Sequence, residues 1–102
     1  MKVEVYKSDK KNKKYKIVIK YPDCSTKTIY IGQAGADDFT KTGDEEAKKR
    51  YIARHKKRED WTKSGIKTAG FWAKHLLWNE KTLLKSARDI RERFGIDVSL
   101  KV

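Results

Sequence analysis

The chain has 102 residues, enough for one domain around one modest core. Charged residues make up 39% of it and apolar residues 37%, yet three tryptophans, five tyrosines and three phenylalanines exclude a simple disordered chain. Twenty-six lysines and arginines against fourteen acids leave a net charge of +12, which points to polyanionic partners, with nucleic acid ahead of anionic membranes and acidic proteins.

The opening residues alternate as Lys2-Val3-Glu4-Val5-Tyr6-Lys7, the period of a strand. They form no continuous apolar stretch, so neither a secretory leader nor a membrane span is expected, and no membrane partner. A lysine-rich turn follows over 8–14. Residues 15–21 read as a second strand, with Tyr15, Ile17, Ile19 and Tyr21 on one face and Lys16, Val18 and Lys20 on the other. Pro22 ends it. Cys24 sits in the next turn; as the single cysteine it permits no intramolecular disulfide and fits a reducing compartment. Lys27 to Gly32 form a third strand with Ile29 and Ile31 on one face. Two hairpins in succession predict a three-stranded antiparallel meander.

Gly32, Gly35 and Gly43 punctuate an expected loop. Thr42 and Glu45 have the spacing of a capping box, so a helix is expected to start near Gly43, with Ala47, Tyr51, Ile52 and His55 as its apolar stripe. Its acids lie at the positive end of the helix dipole and Lys56, Lys57 and Arg58 at the negative end. A loop over 59–69 holds Trp61. Thr68 to Trp78, apolar on most sides, reads as the central core helix. A last helix runs from about Glu80 to Phe94, stopped by Gly95, and the alternating tail Ile96 to Val102 suits an edge strand. The whole reads as a single α+β domain over 1–102: a small three-stranded meander packed against about three helices.

The chemistry-bearing residues are mostly cations. One cluster is Lys48, Lys49, Arg50, Arg54, His55, Lys56, Lys57 and Arg58 on the first helix, continued by Lys63, Lys67 and Lys74, with Arg50, Arg54, His55, Lys56, Lys57, Arg58, Lys63 and Lys67 the expected contacts. A second is the turn holding Lys10, Lys11, Lys13 and Lys14. Such groups displace counterions from a phosphate backbone, and Trp61 beside them is the expected exposed ring for stacking on a base. His55 and His75 are the only histidines, and no Cys or His pair has zinc-site spacing; no glycine-rich phosphate loop occurs. No metal or cofactor is expected.

Ile29-Tyr30-Ile31-Gly32-Gln33, followed by a helix with Arg50 and Arg54, resembles the second half of a GIY-YIG endonuclease domain. The resemblance implies that Tyr30 handles the attacking water, Arg50 or Arg54 the phosphate, and Glu80 or Glu92 a metal. The preceding strand reads Ile17-Val18-Ile19, however, and lacks the first motif tyrosine.

A longer resemblance covers residues 27–95. Arg50 through Trp61, Thr68-Ala69-Gly70-Phe71-Trp72 through Leu77-Trp78-Asn79, and Ser86 through Asp89-Ile90 to Arg93-Phe94-Gly95 occur in that order. They resemble a family of small, uncharacterised basic proteins of nucleocytoplasmic large DNA viruses of algae and amoebae. The resemblance implies a viral protein in the host cell or the virion and transfers no catalytic residue. The leading expectation is therefore a non-enzymatic protein that binds DNA or RNA through phosphates. The rival is a virion structural or protein-interaction module, which requires an exposed apolar patch near Trp72, Leu77 and Trp78.

Overall fold

In the computed structural model, which describes residues 1–102, three strands open the chain: β1 (Lys2–Lys7), β2 (Lys13–Lys20) and β3 (Thr26–Gln33). They pair antiparallel in sequence order, with Val5 opposite Ile17 and Ile17 opposite Ile29. Alternation puts Val3, Val5, Ile17, Ile19, Ile29 and Ile31 on one face, where all are buried. Tyr6, Lys16 and Tyr30 stand in one cross-strand row on the opposite face.

The helical part comprises α1 (Phe39–Thr42), α2 (Glu45–His55), α3 (Ala69–Trp72) and α4 (Leu83–Phe94). The segment α3 continues as a π-helical turn over Ala73–Leu77. Two expectations are corrected here. The stretch before Gly43 is not all loop, because Asp38 caps a short α1. The cap of α2 is Asp44, whose carboxylate accepts the Glu46 and Ala47 amides, rather than Thr42. Thr42 is already committed to α1, its hydroxyl donating to the Asp38 carbonyl, and Gly43 (φ 64) turns the chain between the two helices.

The three-stranded antiparallel sheet is also corrected. After α4, Gly95 (φ 66) terminates the helix and β4 (Asp97–Leu100) joins the sheet parallel to β1, with Val98 beside Val3. The strand order is β3-β2-β1-β4, a four-stranded mixed sheet. The physical reason is the free edge of β1, which the alternating tail satisfies; the Arg91 guanidinium adds a bond to the Val98 carbonyl at 2.8 Å.

The core lies between the inner sheet face and the segment from Phe71 to Leu77. Phe71, Trp72 and Leu76 are fully buried, and the Trp72 indole donates to the Ile66 carbonyl at 2.7 Å. Thr68 caps this segment through the Phe71 amide. The apolar patch required of an interaction module is thereby removed: Trp72 and Leu77 are core, and Trp78 is half-buried against Tyr51. The large apolar side chains that do stand exposed are Met1, Leu84 and Val102.

His75 is 1% exposed and packs between the Phe71 and Phe94 rings. Its Nε2 lies 2.8 Å from the Trp61 carbonyl, which only accepts, so Nε2 carries the proton; the buried Nδ1 has no partner. Burial lowers its pKa from 6.5 to about 4, the bond to Trp61 opposing the shift. The unfolded chain therefore binds the extra proton first as pH falls, and stability drops between about pH 6.5 and 4, by on the order of 3 kcal/mol. Thermal melts across that range should show the loss, and His75→Phe should flatten it. A variant whose melting temperature falls as steeply as the parent's would contradict this.

Candidate nucleic-acid interface

The helix α2 turns Tyr51 into the protein and leaves Lys49, Arg50, Ala53 and Arg54 exposed. Arg50 and Arg54 lie one turn apart on α2, and Lys56, Lys57 and Arg58, in the turn that follows it, continue the stripe of exposed cations. Five of the 26 lysines and arginines hold a carboxylate within 4.0 Å: Lys14, Lys20, Lys41, Lys49 and Arg93. The stripe holds none.

The two acids that follow the stripe in sequence are engaged elsewhere. Glu59 accepts from His55 Nδ1 and from the Trp61 indole, each at 3.0 Å. Asp60 accepts from the Thr62 amide at 2.9 Å and from the Thr62 and Ser64 hydroxyls. Those bonds hold the Asp60 carboxyl below its ordinary range. The loop folds back so tightly that a Cβ on Gly65 would lie 1.9 Å from the Asp60 carbonyl oxygen.

The cations expected from the sequence divide into three places. Lys10, Lys11 and Lys13 are exposed at the β1–β2 turn, Lys10 standing 4.1 Å over the Tyr30 ring. Lys63 and Lys67 are exposed on the loop before α3. Lys67 lies 5.5 Å over Tyr21, at the opposite end of β2 from Lys13. Lys14 is withdrawn from the group: its ammonium pairs with Asp38 at 2.5 Å and donates to the Ala36 carbonyl, bracing β2 against the segment before α1.

Two further expectations change. Trp61 is half-buried, tied to Glu59, with Lys74 5.7 Å over its ring, so it is a packed ring and not a free stacking platform. His55 is half-buried and stacks on Tyr51 at 4.3 Å, which stacks on Trp78 at 4.7 Å. This column fastens α2 to the core segment. It also buries the Tyr51 phenol enough to push its pKa above the ordinary tyrosine range.

Lys48 and Lys74 belong to the basic run read from the sequence; that Arg93 of α4 joins them was not legible there. Burial lowers the Lys74 pKa, and the neighbouring Arg93 and Lys48 charges push it the same way. Lys48 donates to the Asn79 carbonyl at 2.6 Å. Arg93 comes from α4, which in sequence shows only an amphipathic helix face.

A cleft of about 330 Å³ opens between α2 and the end of β3. Arg54 and His55 line it from α2 and Gln33 and Asp37 from the β3 side, and Ala73, Leu77 and Trp78, buried or half-buried, supply its apolar floor. Of the residues of the nuclease reading, Arg54 lines the cleft and Tyr30, Glu80 and Glu92 do not. Tyr30 stands on the outer sheet face, its hydroxyl donating to Asp9 at 2.8 Å. Glu80 and Glu92 share a shallow depression with Lys85 and Arg88 on the helical side. No group of three or more His, Cys, Asp or Glu side chains is placed to hold a metal ion. No helix is long and apolar enough to cross a membrane.

Glu59→Gln tests the clamp between the stripe and the core. It should lower stability by about 2 kcal/mol, because it weakens two charge-assisted bonds, and shift tryptophan emission to the red as Trp61 loosens. Unchanged melting and emission would show that Glu59 holds nothing.

Residues 3–55, from β1 to the end of α2, match the model of a family of unknown function (DUF5754), and the chain belongs to that family. No curated protein and no solved structure matches it.

Proposed function

We propose that this family member is a non-enzymatic nucleic-acid-binding protein that holds the sugar-phosphate chain on the outer face of α2. The observation that carries the reading is the Arg50, Arg54 and Lys57 stripe with Lys56 and Arg58, free of carboxylate partners while Glu59 and Asp60 are bound inside the loop. A polyanion along this stripe releases condensed counterions. Phosphate contacts fix position but read no bases, so sequence preference is weak, and the partner is DNA or RNA. Lys10, Lys11 and Lys13 form a second contact, as do Lys63 and Lys67. The resemblance to proteins of large DNA viruses supports a setting in the infected cell or the virion, where a long polyanion must be neutralised.

Fluorescence anisotropy of a labelled oligonucleotide across a salt series tests this. If about six phosphates are contacted, log affinity should fall against log salt with a slope of about −5. The affinity at low salt should be micromolar or better. Replacing Arg50, Arg54 and Lys57 together by Ala should flatten the slope by about one for each lost contact. Replacing Lys85 and Arg88 on α4 should leave it unchanged. No binding at low salt would remove the reading.

A further inference from the structure

Resting on that reading, we propose that the cleft between α2 and the end of β3 receives one unpaired nucleotide, its base on the apolar floor and its phosphate at Arg54. The volume, about 330 Å³, is at the small end of the range of ligand sites, roughly 300–1,000 Å³. Its lining sets three demands on a ligand. The floor of Ala73, Leu77 and Trp78 wants a flat apolar body. On the walls, Gln33 presents an exposed amide and His55 a free Nε2, since Nδ1 is turned to Glu59; both want a hydrogen-bonding edge. Arg54 has no carboxylate partner and wants an anion. A nucleobase carrying a phosphate meets all three.

Each acid in the lining has a cation beside it. Asp38 is paired with Lys14, and Asp37 lies 3.3 Å from Lys41. The backbone also packs closely at this wall, against Lys14 and Leu77. Gly32 has φ 74, and a Cβ there would come to 3.0 Å from the Lys14 side chain and 3.1 Å from Leu77. Arg54 belongs both to the stripe and to the cleft rim. A strand tracked along α2 therefore presents the base next to the Arg54-bound phosphate to the cleft. A base held in a duplex must first leave its stack, at a cost in free energy. The cleft thus turns a phosphate grip into a preference for single strands.

Free nucleotides and nucleotides within a strand share this chemistry, and one set of titrations separates them. Adenosine and uridine monophosphate, a single-stranded oligonucleotide and a duplex of the same length would be titrated at one salt concentration, followed by tryptophan emission and calorimetry. The expected result is at least about tenfold tighter binding of the single strand than of the duplex. Excess monophosphate should erase that advantage. Gln33→Ala should collapse the preference while keeping duplex affinity and salt slope. Ala73→Leu, which fills the floor, should do the same, its fold checked by circular dichroism. Monophosphate binding without a strand preference would assign the cleft to free nucleotides. Equal affinity for single strand and duplex with no monophosphate binding would overturn the cleft and leave the α2 stripe standing. Gln33→Ala with its preference intact would also overturn it. No binding of any nucleic acid would remove both.

Discussion

Eight of the fourteen acidic side chains, Glu4, Asp9, Asp23, Asp38, Asp44, Glu59, Asp60 and Asp89, accept hydrogen bonds from hydroxyl, amide or ring groups of the protein itself. They cap helices, close turns and clamp loops. A carboxylate used this way contributes to the fold, and three of the eight, Glu4, Asp38 and Asp89, also pair with Lys20, Lys14 and Arg93. The basic excess is then left in water, where it repels itself and attracts polyanions. Surface ion pairs add little stability in any case, so the fold loses little by leaving its lysines and arginines unpaired.

The central segment from Phe71 to Leu77 links this surface to the core. One side packs under the sheet through Phe71, Trp72 and Leu76. The other side meets α2, where Trp78 stacks on Tyr51 and Lys48 reaches Asn79. The π-helical turn over Ala73–Leu77 lies on the cleft floor, and such turns often occur at functional sites. The helix that presents the cations is thus held by aromatic stacking and one carboxylate clamp, and its outer face is free to carry charge alone.

Period-two alternation made the three strands and their buried face legible, because inner and outer residues differ sharply in polarity. The apolar run at Phe71-Trp72 and the Gly95 stop were legible for the same local reasons. Pairings distant in sequence were not. Nothing local in Ile96 to Val102 says that the strand runs parallel to β1. Lys14 resembles Lys11 and Lys13 until Asp38 is brought beside it. The exposure of Trp61 depends on Glu59 and Tyr51, and a ring that is packed in the fold looks the same in sequence as one that is free. The cleft draws its lining from β3, the turn before α1, α2 and the core segment, so no single stretch announces it. The positive balance of the surface was plain from composition; its division into a stripe, a turn and a loop was not.

The most direct test of the central claim is backbone amide NMR of the isotope-labelled protein during titration with an oligonucleotide at low salt. The account predicts that shifts concentrate on Arg50 to Arg58, with weaker ones at the β1–β2 turn, and that they vanish as salt is raised. Shifts absent throughout, or confined to the α4 surface around Glu80 and Glu92, would contradict it.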